Sequence, residues 1–150
     1  MEITHTTVEQ ATREVLETSA HAPVLQVRHT SRADHDFAEL IATLSLMGTR
    51  GGTLVVYCGW QQAVELANGM LGGGPEPDRE TVHDAVGEMV NQIGGSIKRN
   101  VGASGSEIML SPPVVISGSP LRHCVRSSAE PLSVELETAT GALWVGLWPS

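Results

Sequence analysis

Basic residues are scarce in this chain: 9 Lys and Arg stand against 17 Asp and Glu, giving a formal charge of −8. Binding to a phosphate backbone needs a dense Lys/Arg surface, so nucleic acid is a poor partner. Long apolar runs are missing too. Nothing approaches the length of a membrane span, and the amino terminus, Met1-Glu2-Ile3-Thr4-His5, lacks the basic and then apolar regions of a signal peptide. A cytoplasmic protein is the simplest expectation. Cysteine is limited to Cys58 and Cys124, each among apolar residues in a strand-like segment. Without a secretion signal, two buried thiols are favoured over a disulfide, which stays as the alternative.

Other chemistries lack their signatures. The six histidines, His5, His21, His29, His35, His83 and His123, show no tight ligand spacing, and Asp34-His35-Asp36 reads as a solvated loop, so no metal is expected. The Gly-rich loop at 72–74 has no Lys after it and no strand leading into it, which excludes a P-loop or dinucleotide fingerprint. A hydrolytic triad has no support, and no cofactor of the chain's own is expected.

What is present suits one domain, residues 1–150. A chain of 150 residues buries roughly 70% of its unfolded surface, and 41% hydrophobic with 17% charged residues is an ordinary globular composition. Residues 6–19 read as an amphipathic helix, with Thr6 and Glu9 at capping-box spacing and Val8, Ala11, Val15 and Leu16 in helical period; Pro23 ends it. From Phe37 to Met47 the pattern alternates, with Leu40, Ala42, Leu44 and Leu46 on one side. Past a glycine-bearing turn, 53–58 completes an antiparallel hairpin. A second helix spans Trp60 to Met70. Residues 72–78, rich in Gly and Pro, then form a linker inside the domain before a third helix over 79–101. Strands follow at 107–110, 114–117, 122–128, 133–138 and 142–148, with turns at 118–120, 129–131 and 140–141. The expected fold is α+β, about three helices on one face of a largely antiparallel β-sheet. In the last strand Trp144 and Trp148 point away from Leu143, Val145 and Leu147; core packing is preferred for them over a subunit contact.

The third helix is the most informative segment. At about 100° per residue, Asp84, Glu88, Asn91 and Gly95 fall within about 40° of one direction, opposite Val82, Val86, Met89, Val90, Ile93 and Ile97. The displayed face thus holds two carboxylates, a carboxamide and a glycine, a set able to hold a cation and orient a water on a partner's surface. A plain solvated face also carries Asp and Glu, and Asp84 near the helix start is favoured by the macrodipole. Gly87, Gly94 and Gly95 argue against that plain reading. Glycine costs about 1 kcal/mol relative to Ala inside a helix, and close approach of another backbone is the expected compensation.

The run Asp84-x-x-Gly-Glu88-x-x-Asn91, followed by Pro112 and Pro113 in Ser111-Pro112-Pro113-Val114-Val115-Ile116-Ser117-Gly118, resembles the CheC/CheX/FliY family of chemotaxis phosphatases, most closely the CheX type. The opening helix, the hairpin, the glycine loop and the terminal strands occur in the order that the family implies. The resemblance implies hydrolysis of the aspartyl phosphate of a CheY-like response-regulator receiver domain. By residue match the resemblance assigns pairing with the receiver's lysine to Glu88 and positioning of the attacking water to Asn91; Asp84 is expected to support the helix or the contact, and Gly95 to leave room for the docked receiver. The divalent cation, Mg2+, belongs to the receiver, and a homodimer is implied. The chain holds a second Glu-x-x-Asn at Glu65 and Asn68, and some family members carry two active helices. Here Gln61 replaces the preceding acid and Asn68 stands beside Gly69, where Asn often ends a helix in the left-handed conformation, so a helix end is favoured over a duplicated site. The rival function is a non-catalytic adaptor that docks a receiver, a receptor complex or flagellar switch components; a further one is a structural dimer module using Trp144 and Trp148. Retention of both Glu88 and Asn91 favours the enzyme.

Overall fold

In a computed structural model, described here for residues 3–30, 38–48, 51–101, 107–121 and 130–149, three helices lie on a seven-stranded antiparallel sheet. The elements are α1 (His5–Thr18), β1 (Gln26–Thr30), β2 (Ala38–Met47), β3 (Gly52–Cys58), α2 (Trp60–Met70), α3 (Arg79–Asn100), β4 (Met109–Leu110), β5 (Val114–Leu121), β6 (Leu132–Thr138) and β7 (Gly141–Pro149). Strand order is β1-β6-β7-β3-β2-β4, with β5 also paired to β2. The α+β expectation holds.

Local chemistry explains where the elements begin. Helix α1 is capped by Thr4, whose hydroxyl accepts from Thr7 N while the Thr7 hydroxyl accepts from Thr4 N, a reciprocal box two residues earlier than Thr6 and Glu9 suggested. Glu9 instead meets His29 on β1 at 2.6 Å and Arg13 at 3.8 Å. Helix α3 starts at Asp78, which accepts from Thr81 N at 2.9 Å; hydrogen bonding from the Thr81 side chain, and then from its backbone N–H, stabilises the carboxylate and lowers its pKa. Val82, Val86, Met89, Val90, Ile93 and Ile97, the predicted inner stripe of α3, are all fully buried.

Alternation along β2 sends Leu40, Ala42, Leu44 and Leu46 into the main core beneath the helices. Ile41 points to the other face of the sheet, where it joins Val55 and Tyr57 in a second apolar cluster against which Trp144 and Trp148 pack. The tryptophans thus serve packing, on the sheet face away from the helices. Burial pushes the Tyr57 hydroxyl pKa up, and burial together with the nearby Glu39 charge pushes the Cys58 thiol to about 12, as expected for an inert buried thiol.

Four expectations change. Strand β1 was not anticipated; it takes its place by pairing with β6, Val27 opposite Leu136. The strand foreseen over 107–110 shortens to Met109–Leu110. Residues 118–120, read as a turn, continue β5, because an irregularity between Ala38 and Leu40 of β2 absorbs the misfit and an edge strand tolerates a proline without N–H. Helix α2 ends at Met70 as expected, but Asn68 lies inside it rather than in a left-handed cap, and the positive φ values after the helix fall at Gly72, Gly73 and Gly74. The strand expected over 122–128, Cys124, and the Asp34-His35-Asp36 loop lie outside the described residues. Among the described residues, no helix is long and apolar enough to cross a membrane.

Candidate functional site: a groove between the third helix and a broken edge strand

Strands β4 and β5 lie end to end along the same edge of β2, Met109 opposite Met47 and Val114 opposite Thr43. What separates them is Ser111-Pro112-Pro113. Two consecutive prolines offer no N–H to the ladder, so strand pairing lapses there. Ser111 keeps the break in place: its N donates to Ser45 O at 2.9 Å, its hydroxyl accepts from Ser45 N at 2.8 Å, and it approaches Pro112 O at 3.2 Å. The gap so formed is one wall of a groove of about 660 Å3, and α3 is the other.

From α3 the groove takes His83, Asp84, Gly87, Glu88 and Asn91; opposite stand Leu110, Ser111, Pro112, Pro113 and Val115. Asp84, Glu88 and Asn91 are all exposed. One turn apart on one helix face, Glu88 and Asn91 offer a carboxylate and a carboxamide to the same space. Glu88 Oε1 accepts from Gln92 Nε2 at 3.2 Å. His83, passed over as a metal ligand, lines the groove beside Asp84; its Nε2 lies 2.7 Å from the Ser117 hydroxyl on β5, and its ring stands edge-on to Trp60. Among the described residues no cluster of His, Cys, Asp or Glu is arranged to hold a metal.

The α3 glycines have a different reason from the backbone approach expected of them. A methyl group at Gly87 would stand 3.6 Å from Pro113 Cγ and Val115 Cγ2, and one at Gly94 would stand 3.3–3.4 Å from the Leu44 and Leu110 side chains. Gly94 therefore lets the helix sit close on Leu44 of β2 and Leu110 of β4, whereas the space at Gly87, beside Pro113 and, on β5, Val115, would take a methyl at ordinary contact distance. A methyl group at the half-buried Gly95 would stand 3.6 Å from the Arg99 guanidinium; Gly95 is not part of the groove lining and lies one turn beyond Asn91.

Glu65 and Asn68 line a separate groove of about 590 Å3, walled by Ala20 to Pro23 and by the turn Thr138 to Thr140. Glu65 Oε1 accepts from Gln61 Nε2 at 3.0 Å, and the side-chain oxygen of Asn68 is buried without a hydrogen-bond partner. The two Glu-x-x-Asn pairs share spacing and differ in what their amides meet.

Sequence reasoning found the helix residues of the first groove and the proline pair, but not His83 or Gln92. The signal for Gln92 was its i+4 spacing from Glu88; His83 had none beyond adjacency to Asp84, because its partners Ser117 and Trp60 come from other elements.

An exposed Glu-x-x-Asn pair on one helix of an α+β fold thus faces a proline-broken edge strand across a groove. The model of the family described as chemotaxis phosphatase CheX matches residues 40–137, and the chain belongs to that family. Solved structures agree on the fold. The chain resembles a chemotaxis protein CheX from Desulfovibrio desulfuricans (22% identity, 97% of each chain, TM-score 0.83). It also resembles the CheX of a CheX–CheY–BeF3–Mg2+ complex from Borrelia burgdorferi (16%, 99% of each chain, TM-score 0.84). More distantly it resembles FliY from Thermotoga maritima (17%, 99% of this chain and 92% of that one, TM-score 0.62). Comparison with curated protein sequences gives no match.

Proposed function

We propose that this chain hydrolyses the aspartyl phosphate of a CheY-like receiver domain. The observation that carries the reading is the joint exposure of Glu88 and Asn91 on one wall of a groove, in a chain of the CheX family. A neighbour of like fold occurs in a complex with CheY, beryllofluoride and Mg2+, which supports a receiver as partner.

The chemistry needs little from this side. An acyl phosphate is already activated, and the receiver brings its own divalent cation and lysine. What remains is to hold water in line with the bond to be broken. Asn91 is a neutral carboxamide and no base; its oxygen accepts a hydrogen of the water while its N–H2 donates. Water attacks phosphorus, the bond to the aspartyl oxygen breaks, and inorganic phosphate departs from a regenerated carboxylate. Glu88 makes a charge-assisted bond to the receiver's lysine, which sets the register that brings Asn91 to the phosphoryl group. Asp84, exposed one turn before Glu88, adds negative charge to the face the lysine approaches. Gly95 leaves clearance for the docked partner.

Pairing of two copies is part of the proposal: β5 is an edge strand, and its Val114 and Ile116 are 60% and 48% exposed. The deciding experiment follows the decay of phosphorylated receivers from the same cell with wild-type protein and with Asn91→Ala. Faster decay with the wild type alone is expected. Docking without faster decay would leave the adaptor reading in its place.

A further inference from the structure

Gln92 follows Glu88 by four residues and donates its Nε2 to Glu88 Oε1 at 3.2 Å. It is half-buried and takes no part in lining the groove. The other end of its amide, Oε1, is buried and has no hydrogen-bond partner. These two ends explain one another. A half-turn of the amide would press Oε1 against the Glu88 carboxylate, acceptor against acceptor, so the carboxylate selects the observed orientation. The result leaves a buried acceptor unpaired, which is destabilising, and an apolar side chain at this position would suit the fold better. The exposed Gln61, which holds Glu65 in α2 by a similar bond, has no such penalty.

We propose that Gln92 is a positioning residue that fixes the Glu88 carboxylate before the partner arrives, at a cost in stability. An exposed glutamate otherwise samples several rotamers, and ordering it on docking weakens binding. With one lone pair of Oε1 engaged from below, the remaining acceptor sites of Glu88 are directed to the groove. The inference rests on the phosphatase reading, in which those sites meet the receiver's lysine.

Gln92→Met is the informative variant, because it keeps the length of the side chain while removing both the donor and the unpaired acceptor. Its Tm is expected to rise by about 2 to 4 °C. Its Kd for the receiver carrying a beryllofluoride mimic is expected to weaken about five- to tenfold, with kcat on the bound phosphorylated receiver unchanged. Glu88→Ala, measured alongside, weakens the same Kd, and adding Gln92→Met to it brings no further loss. The proposal is overturned by a lower Tm, which marks a merely structural residue. It is also overturned by losses that add in the double variant, or by wild-type binding of Gln92→Met where Glu88→Ala binds poorly. Should Glu88→Ala itself leave binding and turnover unchanged, the lysine-pairing role of Glu88 falls and the role of Gln92 falls with it, while the phosphatase reading stands or falls on Asn91→Ala.

Discussion

Helices α2 and α3 carry the same four-residue pattern, Glu65-x-x-Asn68 and Glu88-x-x-Asn91, in the same fold, and they are not equivalent. In α3 the acid and the amide are both exposed and face a gap in an edge strand. In α2 the asparagine lies near the helix end, with its backbone oxygen taken by Gly73 N at 2.9 Å and its side-chain oxygen buried. The α1–β1 connection walls the groove beside it, and Gln62 ties α2 to the β6–β7 turn through Thr138 Oγ1 and Gly141 O, both at 3.0 Å. A motif at helical spacing specifies which side chains point together. It does not specify whether anything stands in front of them.

The sharpest way to break this contrast is to exchange the asparagines one at a time. Asn91→Ala is expected to slow receiver dephosphorylation by about 10² to 10³, the usual loss for a transition-state hydrogen-bond partner, whereas Asn68→Ala leaves it unchanged. Single-turnover decay of the phosphorylated receiver measures both; equal effects would mean that the helices are interchangeable. Next come the acids. Glu88→Ala is expected to reduce kcat/KM by about ten- to a hundredfold through the loss of a charged hydrogen bond, and Glu65→Ala not at all. A deficit for Glu65→Ala as large as that for Glu88→Ala counts against a purely local role for α2.

Stability should separate the helices in the opposite sense. Gln62 is only 4% exposed, and Gln62→Leu removes its buried hydrogen bonds to Thr138, Thr140 and Gly141. Urea unfolding is expected to show a loss of about 1 to 3 kcal/mol, with turnover per folded molecule retained. A drop in turnover instead would place α2 in the reaction. The smallest effect is reserved for Gly95→Ala. Its methyl group meets no backbone, so the helix gains about 1 kcal/mol and Tm rises by about 2 to 4 °C, while receiver affinity falls a few-fold if that surface faces the partner. Unchanged affinity removes Gly95 from the docking face.

Much of this was legible in the chain, for a physical reason in each case. The buried stripe of α3 follows from its 3.6-residue period, and the inward row Leu40, Ala42, Leu44 and Leu46 follows from the two-residue period of a strand. The exposed face of Asp84, Glu88 and Asn91 is the complement of the first pattern. Pro112 and Pro113 could be noticed as a motif, but their function as a break between two strands on one edge needs the pairing of β2 with both β4 and β5. The capping box moved to Thr4 and Thr7 because several Ser/Thr/Glu spacings compete near a helix start, and φ/ψ of the cap residue decides among them. Strand β1 escaped notice because Gln26-Val27-Arg28-His29-Thr30 has little apolar alternation; its partner β6 supplies what its own side chains do not announce.

By itself, then, the order of residues determined the helices and strands with strong periods, the absence of a basic surface, and the pairing of an acid and an amide on one helix face. Those properties depend on neighbours within a turn or two of the chain. Only the tertiary structure decided which of two identical spacings leaves both its acid and its amide exposed, that Gly94 sits tight against Leu44 and Leu110, that His83 joins the groove wall and that Gln92 holds Glu88 from beside it. Each of these depends on contacts between segments far apart in the chain, and burial, hydrogen-bond satisfaction and access to a partner are properties of such contacts rather than of local spacing.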